Sequence, residues 1–109
     1  MYFITRGKTG SVEGTGAAIF VECGFTPRYV KLVNVDGDAT LEWMTDMGAG
    51  KGFRIASVSD GGFAVGGEII SSGGITVAAT HETNMGFSIG ADTAINVDGE
   101  TIIWMALGE

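Results

Sequence analysis

His81 is the only histidine in the chain, and it stands in the polar run Ala79-Thr80-His81-Glu82-Thr83-Asn84. Any Ser-His-Asp or Cys-His arrangement would have to pass through it. Its surroundings read as an exposed loop. Cys23 is the only cysteine, so one His and one Cys fall short of the ligand set that zinc needs. Asn34, Asp36 and Asp38 have the first three spacings of a calcium loop. Ala39 then stands where that loop requires glycine, and Thr45 where it requires a bidentate Glu. Gly48-Ala49-Gly50-Lys51-Gly52 resembles a phosphate loop only superficially, because Thr45 and Gly52 occupy the positions that should hold Gly and Ser or Thr. Paired carboxylates for glycoside chemistry leave a small hydrolase open as an alternative. No acid is set apart from a hairpin or surface acid by an adjacent aromatic. The expectation is no catalytic residue, no metal ligand and no cofactor, in a protein that binds and packs.

The elements that would carry such a surface are short strands. Runs rich in Val, Ile, Thr and aromatics recur between Gly, Asp, Asn and Ser. The pattern predicts strands near Tyr2–Arg6, Ala17–Cys23, Tyr29–Val35, Ala39–Met44, Phe53–Ser57, Phe63–Val65, Glu68–Ser71, Ile75–Ala79, Gly86–Ile89 and Glu100–Leu107. In Tyr29-Val30-Lys31-Leu32-Val33 the alternation turns Lys31 outward and Val30 and Leu32 inward. No segment keeps a helical period for three turns. Asp36-Gly37 and Asp98-Gly99 predict two-residue hairpin loops with φ > 0 at each glycine. Asp60-Gly61-Gly62 and Ser72-Gly73-Gly74 are weaker turn candidates. The predicted fold is an all-β antiparallel β-sandwich, jelly-roll-like or Ig-like, with short Gly-rich turns and one domain over residues 1–109. Phe20, Val30, Leu32, Trp43, Ile55, Phe87, Ile102 and Trp104 are its expected core, and Cys23 fills it as a small hydrophobe.

Two stretches echo each other. Gly24-Phe25-Thr26 precedes Asn34-Val35-Asp36-Gly37-Asp38 and Trp43-Met44, and Gly86-Phe87-Ser88 precedes Asn96-Val97-Asp98-Gly99-Glu100 and Trp104-Met105. Either two similar hairpins are related by pseudo-symmetry, or Asp-Gly turns with aromatic flanks recur by chance.

Apolar residues make up 45% of 109 residues and Gly accounts for 19. Glycine is far above the usual ~7%, without a collagen period. So many apolar residues in one small domain point to burial against another subunit. The terminal strands carry the signal: Tyr2, Phe3 and Ile4 at one end, and Ile103 and Met105 in the barely alternating run Glu100–Leu107 at the other, are the candidate interface residues. A central strand covered by a loop would explain that last run as well. The net charge is −7, and all six basic residues lie before residue 55. An acidic chain is repelled by phosphate backbones, so no nucleic-acid partner is expected. No membrane partner is expected either, since no apolar run reaches ~20 residues. The N-terminus reads as a strand rather than a signal peptide.

The run Gly24-Phe25-Thr26-Pro27-Arg28-Tyr29-Val30-Lys31-Leu32-Val33-Asn34 resembles the pattern GF-x-P-x-x-V-x-(apolar)-x-N of small β-rich structural proteins of tailed bacteriophages. The C-terminal part is similar to a second pattern of those proteins: Gly86-Phe87-Ser88-Ile89-Gly90, then Ile95-Asn96-Val97-Asp98-Gly99, then Trp104-Met105-Ala106. The resemblance implies a virion component made in the host cytoplasm. Among such components, the chain's size and its lack of a shaft or heptads favour a capsid decoration (cement) protein on the outer capsid surface. Its expected partners are the major capsid protein lattice and itself, as a homo-oligomer (dimer or trimer). The alternative is a receptor- or glycan-binding module of a tail or fibre. The resemblance carries no catalytic or metal residues.

Overall fold

The computed structural model describes residues 6–57, 65–77 and 85–108. Eight strands run in chain order: β1 (Arg6–Glu13), β2 (Ile19–Glu22), β3 (Pro27–Asn34), β4 (Ala39–Met44), β5 (Lys51–Ser57), β6 (Val65–Thr76), β7 (Gly86–Ile89) and β8 (Thr101–Gly108). Among the described residues the helical content is one three-residue 3-10 turn, Thr45–Met47. Every pairing is antiparallel. The all-β antiparallel expectation is therefore met.

The two layers come from one hydrogen-bonded sheet, in the order β1-β8-β3-β4-β5-β6-β7-β2. The sheet curls within β6. Gly52 pairs with Ile70 and the next residue back, Lys51, pairs with Ile75, so Ser71–Gly74 leave the ladder as a four-residue excursion. Gly73 takes φ 81° there, a region that side chains resist. Beyond the excursion Ile75 and Thr76 pair with Ile89 and Ser88 of β7. One long strand thus serves both layers where the residue pattern predicts two, Glu68–Ser71 and Ile75–Ala79. Ser72-Gly73-Gly74 is a corner inside a strand and not a hairpin turn.

The curl brings β7 and β2 over β8 and β3. Phe87 meets Trp104 edge-on, with ring centroids 5.6 Å apart and planes at 73°. Val30, Leu32, Leu41, Trp43, Ile75, Ile89, Ile95 and Ile102 complete one continuous core with them. Two expected core members lie elsewhere. Phe20 is 37% exposed on the edge strand β2. Ile55 faces the outside of the sheet, because its partner on β4 is the outward-facing Thr40.

β1 escaped the sequence pattern, which ends its first predicted strand at Arg6. Its inward position Gly10 pairs with Trp104. A Cβ at Gly10 would lie 2.6 Å from the indole ring. The ring occupies the space of a side chain, so this strand shows glycine where alternation would show a hydrophobe.

The two Asp-Gly sites differ. Asn34 pairs with Ala39, so β3 and β4 are joined by a four-residue loop and not by a two-residue turn. Asp38, with φ 53°, takes the left-handed conformation there, and Gly37 does not. Gly99 does have positive φ, 83°. Its turn is closed by Glu100 N–H donating to the Val97 carbonyl at 3.0 Å. It leads into β8, whose partners are β1 and β3, so no hairpin forms there. The echo in sequence is not an echo of hairpins.

Candidate functional site

At the loop end of the sheet, polar side chains are buried and fully engaged. Asn34, completely buried, accepts hydrogen bonds at Oδ1 from the Asp36 and Gly37 N–H groups at 3.0 and 2.7 Å. Its Nδ2 donates to the Ile95 carbonyl at 3.0 Å and to Glu100 Oε1 at 2.9 Å. Asn96 does the same from the other side. Its Oδ1 accepts from Thr15 N–H at 2.9 Å, and its Nδ2 donates to the carbonyls of Ala17 and Gly90 at 2.7 and 3.0 Å. Asp92 caps the turn that follows it by accepting from the Ala94 and Ile95 N–H groups, both at 3.1 Å. Arg54 holds Asp92 at 2.7 Å and also pairs with Glu68. Burial works against the guanidinium charge, but the two carboxylates outweigh it and raise the Arg54 pKa.

These contacts account for the residues whose spacing looked like calcium chemistry. Asn34 points its oxygen at its own loop's backbone, and Asp36 Oδ2 accepts from Thr101 N–H at 2.8 Å. Among the described residues, no three or more His, Cys, Asp or Glu are grouped to hold a metal ion. Every fully buried side-chain nitrogen or oxygen among them has a partner. Cys23 is buried, donates to the Phe25 carbonyl at 3.2 Å, and has its thiol pKa pushed up by that burial. His81 lies outside the described residues, as do Tyr2, Phe3 and Ile4 of the candidate interface.

The other two interface candidates, Ile103 and Met105, sit side by side on the outward face of β8, Ile103 41% exposed and Met105 half-buried. Although last in the chain, β8 is no edge strand but lies between β1 and β3. It buries Ile102, Trp104 and Ala106 on its inner face and leaves the outer face open. Its burial alternates strictly even though its residue types barely do. Among the described residues the edge strands are β1 and β2, and β1 carries Arg6 and Lys8, a common guard against edge pairing.

The register sets the outward residues into rows. One row runs Ser11, Ile103, Val33, Thr40, Ile55, Gly67 across β1, β8, β3, β4, β5 and β6. The next runs Thr9, Met105, Lys31, Glu42, Phe53, Ile69. Met44 at 50% and Ile69 at 60% are among the most exposed large hydrophobes. Opposite charges occupy the centre of the second row, with apolar side chains to either side. Tyr29 donates to Glu42 Oε2 at 2.6 Å. Its phenol pKa is pushed up to about 12 by burial first and then by Glu42.

Of this face, the residue pattern identified Ile103, Met105 and the outward Lys31. It missed Phe53, Ile55 and Ile69. The adjacent pair Ile69-Ile70 held a signal: in a strand, neighbours face opposite ways, so one of the two must leave the core. Sequence charge also proves a poor guide to space. The late acids Glu68 and Asp92 are both paired with the early Arg54, and β8 is inserted between two strands of the first half. The acidic half is therefore not a separate face.

Two shallow open depressions flank Arg28. One is lined by Arg6, Phe25, Thr26, Arg28 and Met85, and the other by Arg28, Tyr29, Met44, Thr45 and Asp46. Compared with family models, curated proteins and solved structures, the chain matches none of them.

Proposed function

We propose that this protein is a structural component that acts by packing against other proteins, and specifically a capsid decoration protein of a tailed phage that binds the outer head surface and stabilises the assembled shell. The observation that carries the reading is the broad outward face of the sheet. Ile103, Met105, Val33, Ile55, Phe53 and Ile69 lie on it in two adjacent rows. Apolar side chains gathered on one outward face, here on either side of the central Lys31–Glu42 pair, mark an interaction site. The buried side chains of Asn34, Asn96 and Asp92 hold loop backbone, and the role we propose is binding without catalysis. The resemblance to phage structural proteins adds support, and the residues that carry it are scaffold: Phe25, Asn34, Phe87, Asn96 and Trp104 are all buried.

A lattice-binding domain need supply only modest area at each junction. It stabilises the shell by mass action, because the joint site exists only in the assembled state. The test is to mix the purified chain with undecorated heads and with free capsid subunits. Saturable binding to heads alone, with a raised disruption temperature of the particle, is expected. A chain that ignores heads and instead binds a host surface glycan would overturn the reading. The depression holding Tyr29 beside Arg28 and Asp46 favours that second possibility, since shallow sites with one aromatic and flanking polar groups suit sugars.

A further inference from the structure

We infer that the outward face of the sheet is covered by a second copy of this chain, related by a two-fold axis that runs along the strands between β3 and β4. The inference rests on the reading of that face as an interface and names its occupant; a pair joined there meets the shell through its remaining surfaces, the edge strands β1 and β2 and the end loops. The face is complementary to itself. A two-fold axis in the interface plane reverses the order of strands, so it lays β3 over the partner's β4 and β8 over the partner's β5. The register then decides which side chains meet. Lys31 and Glu42 are cross-strand neighbours, so each Lys31 falls on the partner's Glu42, and each Glu42 on the partner's Lys31. In the same row Met105 falls on the partner's Phe53, and in the adjacent row Ile103 falls on the partner's Ile55. The apolar residues that flank the centre meet apolar ones, Val33 meets the neutral Thr40, and the opposite-charge pair meets its own mirror image. That is the requirement of an isologous interface, in which one patch must complement itself.

A row with like charges at its centre, or with charge on one flank only, would fail this operation. Face-to-face sheets pack about 10 Å apart with strands nearly aligned, a geometry this axis allows. The net charge of −7 does not oppose it strongly. Asp36, Asp38, Asp98 and Glu100 lie in the end loops and beside β8's first residue, away from the central row, and exposed charges more than about 8 Å apart are largely screened at physiological salt. The charged pair at the centre fixes register, the best-attested use of such pairs in an apolar interface.

Sedimentation equilibrium of the full chain at physiological salt should give twice the 11.2 kDa mass of one chain. Lys31→Glu and Glu42→Lys should each weaken association by roughly a hundredfold or more, since like charges then face each other across the axis. An equimolar mixture of the two variants should restore dimers, because each position 31 again meets an opposite charge at position 42. Circular dichroism checks that both variants fold, and Ile103→Thr tests the apolar flank without touching the charges. A wild-type chain that stays monomeric, or variants that associate as tightly as wild type, would overturn the inference. The head-binding experiment separates the two conclusions. A monomer that coats heads defeats the dimer and leaves shell binding standing, and a dimer that ignores heads does the reverse.

Discussion

Ile103 and Trp104 are adjacent on β8, yet they face different environments. Trp104 is 5% exposed and lies against Phe87, a residue brought over it by the curl of the sheet. Ile103 points the other way and is 41% exposed. The inner face is covered because β6 bends at Ser71–Gly74 and carries β7 and β2 across. Among the described residues, the strands cover one face of the six-strand stretch and not the other. The high apolar fraction is thereby explained: one set of hydrophobes serves the core and a second set serves the outside. The comparison teaches that side-chain type on these strands does not separate inside from outside, whereas topology does.

The largest expected effect lies on the inner face. Trp104→Ala should lower unfolding free energy by about 3–5 kcal/mol, because it removes the indole that fills the space over Gly10 and the edge contact with Phe87. Chemical denaturation followed by circular dichroism measures it. An unchanged midpoint would erase the distinction between the faces.

Next comes the polar end of the same interior. Asn34→Ala should cost about 2–3 kcal/mol, since the Ile95 carbonyl, in a fully buried residue, loses its donor and bears a desolvation penalty while the 35–38 loop loses the acceptor that shapes it. It frees the Asp36 and Gly37 N–H groups and the Ile95 carbonyl at once. Amide exchange should accelerate at Asp36 and Gly37 more than at β8. Uniform acceleration would show that Asn34 supports the whole sheet and not two loops.

Much of the inner face was legible from residue types. Ala39–Met44 and Gly86–Ile89 match β4 and β7 to the residue, because alternation there coincides with burial. Val30, Leu32, Trp43, Phe87, Ile102 and Trp104 are all buried as expected. The failures have local physical causes. β1 hides behind Gly10, whose side-chain space the indole takes. The two halves of β6 look like separate strands because a corner and a turn use the same residues. Asp36-Gly37 looks like a two-residue turn, but the buried Asn34 side chain engages the next backbone N–H groups and widens the loop. The outer face was only partly legible. Its composition is that of a core, and only strand order reveals that nothing in the described chain covers it.

Tyr29 offers a finer probe of how far the outer face is removed from water. Its phenol, held up to about 12 by burial and by Glu42, makes the folded state favour the neutral form. That contribution to stability is complete below the unfolded value near 10. It is lost as pH rises from about 10 to about 12. In a Tyr2→Phe background the phenolate absorbance should therefore show a midpoint well above 10, and Glu42→Gln should lower it while leaving the share due to burial. A folded-state midpoint near 10 would place Tyr29 in a fully wet surface and weaken the view of this face as half-prepared for a partner.

The smallest expected effect belongs to Ile103→Thr, and its smallness carries the argument. Threonine keeps the β-branched shape that strands favour, so the backbone ladder to Ser11 and Val33 has no reason to change. The side chain already meets solvent in the single chain, so little buried apolar area is lost. Surface changes away from special features usually stay within about 0.5 kcal/mol. In dilute protein, where association contributes least, the unfolding midpoint should move by a small fraction of what Trp104→Ala produces one residue away. At high concentration the same substitution should remove whatever extra stability wild type gains on association, because any partner that binds only the folded chain stabilises it. Comparing the two concentrations separates the faces in one measurement. A large loss in dilute protein would mean that Ile103 belongs to the core of the single chain, and the contrast between the two sides of β8 would collapse.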